Sequence, residues 1–170
     1  MKKLLCSLFA LSAVSTAMAQ EVNIKILGTS DIHGRVVPWS YGADVEDKSG
    51  SYAQIATYVK DVRKNNKNVV LVDVGDAIQD NQVDVFAKDK KYYKDHPIPK
   101  VLNEMKYDIF VLGNHEFNFG MKALDEILKD IKAKKLTANF YYKKNDKRYI
   151  DATTIIEKDG VKLGIIGLST

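Results

Sequence analysis

The sequence predicts an α/β fold, a largely parallel sheet covered by helices, and three observations carry that reading. Short apolar runs at residues 22–27, 68–74 and 108–112 read as strands, and the second is rich in valine, as in a strand buried on both faces. Helical patterns at residues 51–65 and 121–131 alternate with them. Each of these strands ends in a cluster of glycine and polar residues, where open α/β sheets build their sites.

The 170 residues suffice for one domain with one sizeable core. Hydrophobic residues at 45% and charged residues at 28% exclude a disordered or collagen-like chain. The formal charge of +4 is mild, and its lysines are spread among acids, so no nucleic-acid polymer is expected as partner.

The first element is a leader. Lys2 and Lys3 precede an apolar run at residues 4–14, and Ala17-Met18-Ala19 offers small residues for cleavage after Ala19. This is the pattern of a secretory signal peptide at residues 1–19. The apolar run is too short for a membrane span, which needs about 20 residues. The protein is therefore expected to be exported, to the periplasm or the extracellular surface. Cys6, the single cysteine, lies inside the leader, so residues 20–170 have no disulfide or thiolate ligand. Loss of Lys2 and Lys3 takes the charge from +4 to +2.

Residues 29–50 read as loop, with Gly34, Pro38, Gly42 and Gly50. The helix at 51–65 opens on a capping box of Ser51 and Gln54 and sets Tyr52, Ile55, Val59 and Val62 on one face. Residues 77–107 hold one or two helices, broken at His96-Pro97-Ile98-Pro99. The helix at 121–131 carries Met121, Leu124, Ile127, Leu128 and Ile131 on one face. A short strand is expected at 137–140. A hairpin at 153–157 and 161–168 turns on Asp159-Gly160. Tyr92-Tyr93 and Tyr141-Tyr142 read as half-buried packing rather than base-stacking platforms.

The candidate site residues come from the strand ends. Asp31 and His33, two apart on an extended segment, face the same way and offer a carboxylate and an imidazole to one cation. Asp76 follows Gly75, which permits close backbone approach, and its two oxygens suit a bridge between two ions. Asn114 offers a neutral oxygen, and His115 beside it offers a proton or hydrogen bond. Taken singly, Asp31 with His33 reads equally well as a turn aspartate beside an unrelated histidine, and Asp76 reads better as an ordinary turn aspartate. Together, at three strand ends, they suit hard or borderline divalent ions: Mn²⁺, Zn²⁺, Mg²⁺, Fe or Ca²⁺.

The order Asp-x-His, Gly-Asp, Gly-Asn-His-Glu resembles the calcineurin-like metallophosphoesterase superfamily. The stretch from Leu112 to Gly120 resembles its exported branch of 5′-nucleotidases and 2′,3′-cyclic-nucleotide 2′-phosphodiesterase/3′-nucleotidases. The likeness spans residues 22–170. It implies the αββα sandwich fold and two divalent metal ions. Asp31 and His33 would hold the first ion, Asp76 would bridge, and Asn114 would hold the second and lie by the phosphate. His115 would stabilise the phosphoryl transition state or assist the leaving group. A metal-bound hydroxide would attack in line. The substrate would be a nucleotide or cyclic nucleotide.

Two departures qualify the resemblance. Asn118 stands where many 5′-nucleotidases have an aspartate paired with the histidine. The Glu-Phe-Asn form, with His96-Pro97 and then Lys100, Leu102 and Asn103, is closer to the cyclic-phosphodiesterase group. The family's later histidines and its C-terminal nucleotide-binding domain have no counterpart here, since the histidines are 33, 96 and 115 alone. His96 is expected on the surface. The sequence is thus read as the N-terminal part of a catalytic domain, over residues 20–170, truncated before the later strands. Apolar surface is expected to be exposed near residues 163–168. The alternatives are a 5′-nucleotidase, an esterase of non-nucleotide substrates, or a catalytically incompetent metal-binding fragment.

Overall fold

The computed structural model describes residues 21–170, so the expected leader and Cys6 lie outside the described residues. The elements run β1 (Lys25–Thr29), β2 (Trp39–Ser40), β3 (Val45–Glu46), α1 (Tyr52–Asn65), β4 (Val69–Asp73), α2 (Asp84–Lys88), α3 (Pro97–Glu104), β5 (Ile109–Val111), α4 (Met121–Lys129), β6 (Lys134–Leu136), β7 (Tyr141–Tyr142), β8 (Lys147–Arg148), β9 (Thr153–Lys158) and β10 (Val161–Ile166). Tight 3₁₀ turns at Asn81–Val83, Lys90–Asp95 and His115–Phe117 join them.

Four strands form one parallel sheet in the order β1-β4-β5-β6. Parallel pairing in that order sets the carboxyl ends of β1, β4 and β5 side by side, about 4.8 Å apart per step. One face packs Leu71 and Phe110 against Tyr52, Val59, Leu102, Leu124 and Ile127 of the helices. The other face packs Ile109, Val111 and Leu136 against Ile156 and Ile165 of the β9–β10 hairpin.

Ser51 caps α1 and accepts from the Gln54 amide at 3.4 Å. The box is not reciprocal: Ser51 Oγ donates to Gln54 Oε1, and Gln54 Nε2 donates to the Lys48 carbonyl. The hairpin turns where expected, with Asp159 (φ 47°) and Gly160 (φ 80°) both left-handed, as a two-residue primed turn requires.

Two expectations need correction. The strand foreseen at 137–140 forms at Lys134–Leu136 instead. Two lysines hid it. They tolerate an edge strand because their amines reach Asp151 and the Ile131 carbonyl. His96 is not a surface residue, being 1% exposed. Its Nδ1 faces the Ile98 amide and its Nε2 the Ile78 carbonyl, so it caps α3 while Pro97 opens the helix without needing a partner for an N–H. Burial pushes its pKa down to about 4, against the Ile78 hydrogen bond and Asp84.

The exposure expected near residues 163–168 is present: Ile166 and Leu168 lie open, as does Ile155 across the hairpin. Among the described residues, no helix is long and apolar enough to cross a membrane.

Candidate metal centre

The loop after β1 is not extended. Asp31 (φ 54°) and His33 (φ 49°) both take left-handed backbone conformations, contrary to the extended geometry expected for them. Their side chains still meet, with His33 Nε2 3.9 Å from Asp31 Oδ1. The curl is held by neighbours. Asp31, His33 and Gly34 donate their amides to the carbonyls of Gly75, Asp76 and Ala77 at 2.9–3.1 Å. Asp76 (φ 55°) is left-handed too. Aspartate and histidine tolerate this region better than most residues, and such strain gathers where surrounding contacts over-determine the backbone.

Gly75 and Gly113 explain how the second and third loops meet. A Cβ on Gly75 would stand 2.1 Å from the Gly113 nitrogen, and one on Gly113 would stand 2.3 Å from Asp76 Oδ1. Backbone touches backbone here, so any side chain would separate Asp76 from Asn114 and His115.

Glu116 locks that contact. It is 1% exposed and accepts from four amides: Gly113 (2.6 Å), Ala77 (2.7 Å), Asp76 (2.8 Å) and Ile78 (3.3 Å). Burial raises its pKa, opposed by those four hydrogen bonds. Asp73 lies below it and accepts from Thr29 Oγ1, the Tyr52 hydroxyl and the Gly75 amide. Burial pushes Asp73 up to about 6, against these hydrogen bonds, with the Glu116 charge adding to the rise. Sequence reasoning gave neither carboxylate a role. The signal available was an acid directly after Asn-His, and another closing a valine-rich strand.

Asp31, His33 and Asp76 come together: one ligand atom from each lies within 4.8 Å of the others. Ligands on opposite sides of one divalent cation, bound at about 2.0–2.6 Å, are spaced comparably. The imidazole nitrogen that stands by Asp31 is Nε2, while Nδ1 is buried with no hydrogen-bond partner among the described residues. The two carboxylates and the imidazole, with ligand atoms this close together, fit a divalent metal.

His115 borders this group. Its ring meets His33 edge-to-face at 5.3 Å, and its amide donates to Asp76 Oδ1 at 2.8 Å. Asn118 Nδ2 stands 2.9 Å from His115 Nδ1 and also donates to Gln79. Asn114 is exposed between Gly113 and His115, beside Asp76 in the backbone contact already described.

The calcineurin-like phosphoesterase family model matches residues 24–166. The chain is 37% identical over 165 residues to the trifunctional nucleotide phosphoesterase YfkN of Bacillus subtilis, covering 88% of this chain and 11% of that protein. The crystal structure of the YfkN phosphoesterase superposes with a TM-score of 0.77 at 35% identity, over 86% of this chain and 48% of that one. The 2′,3′-cyclic-nucleotide 2′-phosphodiesterase/3′-nucleotidase of Haemophilus influenzae is 33% identical over 95% of this chain and 27% of its own length. A snake venom 5′-nucleotidase of Naja atra is 35% identical over 86% and 28% respectively. The chain thus spans between about a tenth and just over a quarter of the curated relatives it matches. On the family match and these likenesses, the chain belongs to the calcineurin-like phosphoesterase family.

Proposed function

We propose that this chain carries one metal-binding half of a nucleotide phosphoester hydrolase, of the 2′,3′-cyclic-nucleotide phosphodiesterase/3′-nucleotidase type. The observation that carries the reading is the convergence of Asp31, His33 and Asp76 at adjacent strand ends. Asp31 and His33 would hold one ion, Asp76 would reach toward a second, and Asn114 would meet that second ion. Divalent ions there supply water activation and neutralise charge on the phosphoryl oxygens.

The chain's own residues do the rest. If Asn118 donates to His115 Nδ1, the neutral imidazole carries its proton on Nε2. His115 then offers that N–H to a phosphoryl or leaving oxygen. Asn118 is an amide partner to that ring where many 5′-nucleotidases carry an aspartate. This favours the cyclic-phosphodiesterase reading over 5′-nucleotidase.

The test uses a full-length version of the protein that carries this segment, with Mn²⁺, following phosphate release from 3′-AMP and 5′-AMP and ring opening of 2′,3′-cyclic AMP. Turnover of the cyclic and 3′ substrates is expected to exceed that of 5′-AMP, and Asp76→Asn to lower it by more than about 100-fold. Absence of turnover on every nucleotide, with metal bound, would sink the enzymatic reading and favour a metal-binding segment without catalysis. We also propose export, on the pattern of residues 1–19. Retention inside the cell, with an intact mass that still includes residues 1–19, would contradict it.

A further inference from the structure

The β7–β8 hairpin projects a concentrated positive charge from the fold. Residues 141–148 hold Lys143, Lys144, Lys147 and Arg148 against one acid, Asp146, a net +3 beside +4 for all 170 residues. All eight residues are exposed. Among the described residues, no carboxylate pairs with Lys143, Lys144 or Lys147, whereas Lys67 meets Asp159 and Lys129 meets Glu126, each at 2.7 Å. The neighbouring basic run is engaged too, with Lys134 on Asp151 at 2.8 Å and Lys135 on the Ile131 carbonyl at 2.7 Å. Like charges crowded on one turn repel one another, a cost that the anions of a partner would offset.

The projection is a fixed stalk rather than a loose loop. The amides of Asn145 (3.2 Å) and Asp146 (2.9 Å) donate to the Tyr142 carbonyl, and the Lys147 amide donates to Asn145 Oδ1 (3.1 Å). Asp146 takes the left-handed conformation (φ 52°) that closes the turn. At the root, Tyr149 meets the rings of Tyr142 (5.6 Å) and Phe140 (5.8 Å) edge-to-face, and Phe140 packs on Phe117 (4.3 Å). The Tyr149 hydroxyl donates to Asp125 of α4, and Arg148 Nη1 donates to the Ala138 carbonyl. The backbone is thus ordered before any partner arrives, so little of its entropy is lost on docking.

We propose that this hairpin is a peripheral docking surface for an anionic lipid bilayer. An exposed hairpin has no walls to enclose a small ligand, and its charge suits an extended layer of phosphate headgroups. The tyrosines favour lipid over a single-stranded nucleic acid. Arg148 lies over the Tyr141 ring at 4.9 Å, and Tyr142 is held against Tyr149, which makes a poor platform for stacked bases. Both tyrosines still expose 44% of their surface beside the cations, and a phenol so placed suits the boundary between water and hydrocarbon. The inference does not depend on the phosphoesterase reading, because none of these residues belongs to the metal group.

The test is co-sedimentation with lipid vesicles of a full-length version of the protein that carries this segment. It is prepared without residues 1–19, whose lysines and apolar run would themselves bind lipid. Vesicles of phosphatidylglycerol mixed with phosphatidylcholine are compared with vesicles of phosphatidylcholine alone. Binding to the anionic vesicles only is expected. It should fade between about 0.1 M and about 1 M salt, as the screening length falls from about 10 Å to about 3 Å. Each cation near an anionic surface is worth about a fivefold factor in partitioning, so joint Lys143→Gln, Lys144→Gln and Lys147→Gln should weaken binding about 100-fold. Those side chains are exposed, so the fold is kept. Joint Lys67→Gln, Lys88→Gln and Lys129→Gln removes the same charge elsewhere and should weaken binding less than about threefold. No binding to anionic vesicles, equal binding to both kinds, undiminished binding in the hairpin variant or an equal loss in the second variant each overturns the proposal. Tighter binding of single-stranded poly(A) than of vesicles at equal phosphate concentration, lost in the hairpin variant, overturns the lipid assignment in favour of a nucleic-acid polymer.

Discussion

The two faces of the parallel sheet are finished differently. On the helix side, Leu71, Phe110 and Leu112 are completely buried and meet α1, α3 and α4 in one continuous core. On the hairpin side, Ile109, Val111 and Leu136 are buried, but Ile26 of β1 and Val74, just past the end of β4, stay 66% and 49% exposed. The hairpin's own outer face leaves Ile155 and Ile166 open at 68% and 66%. The difference teaches where the strand ends get their rigidity. Asp73 and Tyr52 lie on the helix side and tie the base of the site into the packed core, whereas the hairpin covers only the β5–β6 half of the other face.

The largest effect is expected on the packed side. Phe110→Ala should cost about 3–5 kcal/mol of unfolding free energy, read from urea denaturation, by opening a cavity among buried neighbours. A loss below about 1 kcal/mol would mean that this face is not the tightly packed one.

Next comes Glu116→Gln. An amide in place of one carboxylate oxygen turns N–H donors toward backbone N–H groups, and each buried donor left without an acceptor costs about 1–3 kcal/mol. Mn²⁺ affinity is expected to fall with stability, because Asp76 and Gly113 lose their common anchor. Unchanged Mn²⁺ affinity in a folded Glu116→Gln chain would show that Gly75 and Gly113 suffice to hold the loops.

A pH series sharpens the comparison further. Asp73, raised to about 6, binds its proton more readily folded than unfolded. Its contribution is therefore greatest below pH 4 and is lost as pH rises through 6. His96, lowered to about 4, does the opposite. It stabilises above pH 6.5 and loses that contribution as pH falls toward 4. Each spans about 3 kcal/mol by linkage and the two signs oppose, so their sum varies little across this window. In Asp73→Asn the falling limb disappears, and stability should climb between pH 4 and 6.5. A flat profile in that variant would show that His96 is not held neutral.

The smallest effect belongs to the open face. Ile166→Thr should change stability by no more than about 0.5 kcal/mol, because the side chain already meets water. A loss near 2 kcal/mol would reveal that something covers it in solution.

The strand ends were legible because polar clusters after apolar runs have few other uses. Asp31, His33, Asp76, Asn114 and His115 were all marked that way. The long helices were legible from their period, and the hairpin from Asp159-Gly160. The strand at Lys134–Leu136 was not, since an edge strand can carry lysines whose amines reach outward. Nor was His96, whose burial depends on the Ile78 carbonyl, 18 residues away in sequence.

By itself the sequence determined which atoms were available at each strand end: two carboxylates, two imidazoles and an amide, without a thiolate among residues 20–170. Only the tertiary structure decided that they converge. Parallel pairing brought three chain segments to one edge, and the Gly75–Gly113 contact closed the gap between two of them. Glu116 then fixed both loops through four amides. Left-handed turns at Asp31 and His33 aimed the first pair. Local sequence cannot encode that convergence, because the strand pairings, the Gly75–Gly113 contact and three of the four Glu116 bonds join residues about 40 positions apart, and the separation becomes contact only when the sheet forms.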